Sequence, residues 1–237
     1  MDLIRNVENF VFGAECLGCG CVADHLDPWL CPACVKELQR ESRVSLSPGI
    51  DVYSLFPMRP LTRRLVHALK YGSIPGMATY LVRHSSAVGG GFVGEELALL
   101  PKPLYFVPVP LHRARLRERG YNQAEKIAAA LSVVTGGRVC RWLRRKKFVV
   151  SQTKLSRGER ERNVASVFEG ALPKELPTQG TVVVVDDVYT TGATTSACVA
   201  ALGPRFPLPV KVCTLIFDEP ASVESDFVAD CQMEWDV

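Results

Sequence analysis

Apolar residues follow two rhythms along this chain. Val182, Val183, Val184 and Val185 form an unbroken run, which suits a strand buried on both faces. With Thr181 and Asp186 around it, this predicts a strand over 181–186. Further β-rich runs predict strands over 52–56, 105–109 and 210–217, with a short one over 139–143. Between them the period lengthens. Leu61, Leu65, Val66 and Leu69 share one helical face. Helices are also predicted over 77–86, over 122–134 with a stop at Gly136 and Gly137, and over 194–202. Residues 97–111 hold Lys102 and four prolines and read as a loop entering a strand, and Gly89 to Gly91 marks another loop. Strands alternating with helices predict an α/β fold, a mainly parallel sheet flanked by helices.

The first 49 residues do not share this rhythm. Five of the nine cysteines crowd into them, a short helix is predicted over 35–42, and 45–49 reads as a linker. We therefore divide the chain into a small cysteine module, 1–49, and an α/β domain, 50–237. Residues 219–237 carry no pattern. At 237 residues, 47% hydrophobic and 22% charged, the chain has the composition of a soluble globular protein. It lacks the roughly 18–20 consecutive apolar residues of a membrane span. Asp2 and Glu8 interrupt the N-terminus, where no basic segment precedes an apolar one, so a cytoplasmic protein without membrane insertion is expected.

The net charge of +3 conceals an asymmetry. Between Arg113 and Arg162 lie 15 Lys or Arg against four Glu, a local charge of +11, so the remainder carries −8. Such a block fits a partner rich in phosphate, small or polymeric, or a pair of solvated helical faces.

The candidate chemistry sits directly after the valine run. Asp186 and Asp187 end the strand, Thr190, Thr191, Gly192, Ala193 and Thr194 follow, and a helix begins. A helix N-terminus offers free N–H groups and partial positive charge to a phosphate, and Gly192 lets the backbone approach it. Two carboxylates beside such a cradle would repel the anion unless they hold ribose hydroxyls or a magnesium ion. A helix cap alone would need one acid, not two acids and three threonines. No Gly-x-x-x-x-Gly-Lys-Ser/Thr loop accompanies the acids, which excludes a nucleoside triphosphatase of that type. Neither His67 nor His112 has the partner that covalent catalysis would need.

Upstream, a strand exit at 107–111 leads into a run holding Arg113, Arg115, Arg117, Arg119, Gly120, Tyr121, Asn122 and Gln123, which reads as a basic loop. Arginine forks suit phosphate oxygens. Residues 151–168, with Gln152, Arg160 and Asn163, read as a lid. Trp142 lies among Arg141, Arg144, Arg145, Lys146 and Lys147, and either packs in a core or stacks a base.

Cys16-x2-Cys19 and Cys31-x2-Cys34 stand 11 residues apart. Two such turns supply the four thiolates of a tetrahedral zinc site. Cys21 or His25 can replace one of them, and an iron–sulfur cluster is the competing occupant.

The string VVVVDDVYTTGAT resembles the phosphoribosyl diphosphate motif of type I phosphoribosyltransferases. Together with Val-Pro-Val-Pro-Leu at 107–111, Arg-Gly-Tyr-Asn-Gln at 119–123, Gln152, Arg160, Asn163, the Leu-Lys-Tyr-Gly element at 69–72 and the cysteine module, it resembles the ComF family, with blocks in order from about 10 to 217. Val149 and Ser151 depart from the Thr and Pro frequent there. The resemblance implies a phosphoribosyltransferase-type fold, with Asp186 and Asp187 as catalytic ligands of the ribose and Thr190 to Thr194 around the 5′-phosphate. It places Lys70, Arg119 and Arg160 toward the diphosphate, with magnesium bound alongside. It implies either a phosphoribosyltransferase, a glycosyltransferase of unassigned acceptor, or a non-catalytic accessory of DNA uptake. The second would grip single-stranded DNA and meet proteins of the competence machinery. The cysteine module occupies the place where base-specific relatives carry the hood that selects an acceptor.

Overall fold

A computed structural model describes residues 14–23, 26–40, 51–86, 92–146, 167–203 and 208–218. Gln152, Arg160, Asn163 and His25 lie outside the described residues, as do the loop at 89–91, the linker at 45–49, and 147–166 and 219–237. In chain order the elements are β1 (Ala14–Glu15), β2 (Val22–Ala23), α1 (Pro32–Arg40), β3 (Val52–Pro57), α2 (Pro60–Tyr71), α3 (Gly76–Ser86), α4 (Phe92–Leu99) and β4 (Leu104–Pro108). They continue with α5 (Arg113–Arg119), α6 (Gln123–Thr135), β5 (Arg138–Val139), β6 (Leu143–Arg145), β7 (Phe168–Gly170), β8 (Thr181–Tyr189), α7 (Ala193–Leu202) and β9 (Val210–Phe217).

The central sheet runs β3-β9-β8-β4-β5 with every pair parallel. Side chains alternate across a strand, and the valine run divides accordingly. Val183 and Val185 join one core with Phe56, Phe106, Leu65, Leu81 and Ile127. Val182 and Val184 join the other with Val107, Cys198, Leu202 and Val212. Helices α2, α3 and α6 thus cover one face, and α7 with the β6–β7 hairpin covers the other. The sheet is a buried layer between them.

The cysteine module adds to the first of these cores. Leu30, Cys31, Cys34 and Leu38 pack with Leu61, Leu65, Met77 and Tyr80. Trp29 meets Tyr80 edge-on at 5.3 Å, and Arg64 Nη1 donates to the Gly18 carbonyl.

Several expected bounds change. Strand β8 does not stop at 186 but pairs with β9 as far as Tyr189 opposite Phe217, because β9 is long enough to keep its ladder partnered. The short strand expected over 139–143 is two pieces, β5 and β6, which belong to different sheets. The segment expected as a basic loop folds into α5, started by His112 and closed by Gly120 in the left-handed region at φ 76°. Arg113, Arg115 and Arg117 on it are exposed, whereas Arg119 at its end is half-buried, and no apolar periodicity announced it. Likewise α4 covers part of the expected proline-rich loop. Among the described residues no helix is long and apolar enough to cross a membrane.

Candidate functional site

Strand alternation decides where the two acids point. Asp186 continues the Val182–Val184 side, toward α7 and Cys198, whereas Asp187 continues the Val183–Val185 side, toward α2. Asp187 there meets Lys70 of α2, with Nζ 3.2 Å from Oδ2. Asp186 Oδ1 accepts the Asp187 N–H at 2.9 Å. Burial pushes the Asp186 carboxyl up to about 7, and the Asp187 charge adds to the shift. The Asp187 N–H and Lys70 oppose it. One acid is thus already paired with a cation, while its neighbour is poised to ionise near neutrality.

Beyond Tyr189 the chain turns through Thr190 and Thr191 to Gly192, which caps α7 in the left-handed region at φ 73°. A side chain there would strain the backbone and bring a Cβ within 2.8 Å of Tyr189 Cζ. Thr195 turns inward and donates to the Gly192 carbonyl at 3.0 Å. Thr190, Thr191, Ala193 and Thr194 face outward around a concavity of about 30 Å³ lined by 188–195. The first N–H groups of α7 have no intrahelical acceptor. The edge can therefore accept an anion by its backbone, beside two acids that can take hydroxyls or a cation.

The 119–123 motif braces this edge from below. Arg119 Nη1 donates to Gln123 Oε1 at 3.1 Å and Nη2 to Tyr71 Oη at 3.2 Å, and its guanidinium lies 5.0 Å from the Tyr71 ring centroid. Tyr121 donates to the Leu69 carbonyl. Asn122 Nδ2 donates to the Val109 carbonyl at 2.9 Å, while its Oδ1 caps α6 through Ala124 N–H at 3.1 Å. Arg119 Nε and Gln123 Nε2 are buried donors without an acceptor among the described residues. The motif ties the end of α2, which carries Lys70, to the exit of β4. Sequence reading singled out Lys70 and Arg119 but passed over Tyr71, although it sits between Lys70 and Gly72 in the element already marked.

The basic residues divide into two kinds. Arg113, Arg115 and Arg117 project from α5, which has no buried residue. Arg141 instead pairs with Glu125 at 2.7 Å, and Arg144 with Glu169 at 2.6 Å. Arg145 lies 5.4 Å from the Phe168 ring centroid. Trp142 packs on Tyr105 with centroids 5.1 Å apart, on the core side of its two expected roles.

In the cysteine module a short hairpin pairs Glu15 with Val22. Cys16 N–H bonds the Cys21 carbonyl, and Gly20 N–H the Cys16 carbonyl, both at 2.9 Å. The sulfurs of Cys16, Cys19, Cys21 and Cys31 all lie within 4.8 Å of one another, a cluster that could hold a metal such as zinc. Cys34, the expected fourth ligand, is not among these four sulfurs but is buried in the same core cluster as Cys16 and Cys31. Burial opposes ionisation of Cys16, but N–H groups of Cys31, Cys19 and Gly18 outweigh it. The Cys21 N–H lowers Cys19, and the Cys34 N–H lowers Cys31. Contact with Cys19 and Cys31 pushes Cys21 up to about 12, and burial pushes Cys34 up.

No family model matches the chain. It is 32% identical over 184 residues to DNA utilization protein YhgH of Salmonella typhi, covering 76% of this chain and 73% of the relative. It is 36% identical over 104 residues to Competence protein F of Haemophilus influenzae, 40% of this chain and 42% of the relative. With YhgH of Salmonella typhimurium it shares 29% over 197 residues, 71% of this chain and 82% of the relative.

Proposed function

The chain belongs to the ComF family, and from that footing we propose that the β8–α7 edge binds magnesium phosphoribosyl diphosphate in a protein of DNA utilization and competence. The observation carrying this reading is one contiguous edge. Two acids on a buried central strand lead into a glycine-capped helix N-terminus, and the fold brings Lys70 to 3.2 Å from the second acid.

Asp186 and Asp187 take the ribose hydroxyls, and 190–194 hold the 5′-phosphate by N–H groups and hydroxyls. Lys70 is the nearest cation for the diphosphate. Arg119 acts from the brace behind it, and Arg160 lies outside the described residues. Magnesium, when bound, neutralises the diphosphate and makes it a better leaving group. As the bond from the anomeric carbon to the diphosphate breaks and one to the acceptor forms, the carboxylates of Asp186 and Asp187 stabilise the positive charge growing on the ribose. In its catalytic form the protein is a phosphoribosyltransferase.

Calorimetric titration with magnesium and phosphoribosyl diphosphate tests the site. Asp186→Asn/Asp187→Asn is expected to weaken binding by at least about 100-fold, each lost charge-assisted contact contributing roughly 1.5–3 kcal/mol. Unchanged affinity in the double variant would sink the reading.

A second reading has its own observation: α5 presents three exposed arginines near the same edge, and the relatives are named for DNA utilization and competence. In this reading single-stranded DNA lies along α5, and the sugar-phosphate site serves as a sensor or a grip. Loss of DNA binding on removing these arginines, with phosphoribosyl diphosphate binding intact, would separate the two sites.

A further inference from the structure

The cysteine module holds more thiols than a tetrahedral metal can use. Four sulfurs, of Cys16, Cys19, Cys21 and Cys31, lie within 4.8 Å of one another, and a fifth cysteine, Cys34, is buried in the same core cluster as Cys16 and Cys31. In a tetrahedral thiolate site with metal–sulfur bonds of about 2.3 Å, sulfurs stand roughly 3.8 Å apart. Cys19 and Cys31 are at 3.8 Å, and Cys19 and Cys21 at 3.2 Å.

Hairpin geometry places Cys21 in this cluster. The Glu15–Val22 register and the Cys16 N–H to Cys21 carbonyl bond set Cys21 opposite Cys16. Gly20, at φ 76°, makes the intervening turn possible. The two outer candidates approach from opposite directions. Cys21 is exposed, whereas Cys34 is buried on α1 behind Gly18, where an added Cβ would fall 2.7 Å from the Cys34 sulfur. Cys16 accepts N–H bonds from Gly18 and Cys31, each at 3.3 Å, which holds it in place whichever partner binds.

We propose that Cys21 is a working ligand of this metal centre. Cys16, Cys19 and Cys31 form a constant three-thiolate base, and Cys21 and Cys34 compete for the fourth position from the solvent side and the core side. When one thiol enters it gives its proton to solvent and forms the metal–sulfur bond, while the displaced thiolate gives up its own and takes a proton from solvent. No redox change is involved. The centre holds its metal through either of two complete ligand sets and opens at the Cys19–Cys21 edge.

Cobalt(II) substitution of the full chain reads the ligand count through thiolate charge-transfer and ligand-field bands. Cys21→Ser and Cys34→Ser are each expected to keep the four-thiolate spectrum at one equivalent of cobalt, with zinc affinity lowered less than tenfold. The double variant drops to a three-thiolate spectrum and loses zinc affinity by 100-fold or more. A Cys34→Ser spectrum already equal to that of the double variant would remove Cys21 from the centre. A Cys21→Ser spectrum equal to it would remove the competition.

Because Cys34 is buried, its variant can fail to fold, and the wild type supplies an independent arm. Iodoacetamide labelling followed by peptide mass spectrometry compares Cys21 in metal-loaded and metal-free protein. Metal is expected to slow Cys21 labelling at least fivefold. Equal rates, with metal fully retained, would overturn the proposal.

Discussion

The β8–α7 edge and the cysteine centre are built in opposite ways. The edge takes its acids, threonines and glycine from one contiguous stretch, mounted on a strand paired on both sides. The cysteine centre gathers sulfurs from two turns and the start of a helix, backed by two-residue strands. A sheet ladder and two cores hold the edge in shape, whereas the cysteine hairpin has too little backbone pairing to do so. The edge is therefore held in shape by the fold itself, while a metal bound by the four sulfurs would add order that the hairpin's own pairing does not supply.

Stripping the metal is the largest test of that contrast. Chelation is expected to lower Tm by about 10 °C, corresponding to several kcal/mol in a chain of this size. It should expose Trp29, which fluorescence reads, and leave the amide protection of β4, β8 and β9 intact. Equal loss of protection in the sheet and in 26–40 would show one cooperative unit. At the edge, Gly192→Ala carries the next effect. A side chain at φ 73° costs about 1–2 kcal/mol of backbone strain, and affinity for ribose 5-phosphate should fall more than tenfold, read by calorimetry. Wild-type affinity in that variant would remove the phosphate cradle.

pH sharpens the contrast further. Asp186 has its folded pKa raised to about 7, so its contribution to stability is complete below the unfolded carboxylate range and is lost as pH rises through 7. Ligand binding runs the other way, because hydroxyls and magnesium need the carboxylate. Affinity for magnesium and ribose 5-phosphate, divided by affinity for inorganic phosphate, should rise about tenfold per unit below pH 7 and level off above it. Asp186→Asn should abolish that rise and gain stability relative to wild type at pH 8. A flat ratio in the wild type would mean that Asp186 does not touch the ligand.

The smallest effect separates the two basic segments. Arg113→Ala/Arg115→Ala/Arg117→Ala should reduce the magnitude of the salt slope of single-stranded DNA binding by about 2, near 0.7 per lost phosphate contact. Arg141→Ala/Arg144→Ala should leave it unchanged, since Glu125 and Glu169 already neutralise those side chains. The reverse result would move the DNA path to the β6–β7 hairpin.

Chain-local features are readable from the sequence alone. The valine run announced the central strand because a strand covered on both faces favours apolar residues at successive positions, and Leu61 to Leu69 announced α2 because one helical face must be apolar. Gly136 and Asn122 marked the ends of α6 because helix termini require special residues. The acid–threonine–glycine stretch was legible for the same reason: its chemistry lies within consecutive residues. Three-dimensional packing settled the rest. Lys70 reaches Asp187, and Tyr71 and Gln123 hold Arg119, because α2 and α6 lie on the same sheet face, a relation no spacing encodes. Cys21 joins the sulfur cluster through hairpin register, although Cys-x-x-Cys spacing favoured Cys34. Arg141 and Arg144 lost their free charge to glutamates from other segments, while Arg113, Arg115 and Arg117 form no ion pair among the described residues. Periodicity records what each segment must bury; which segments then meet depends on how those buried faces pack together.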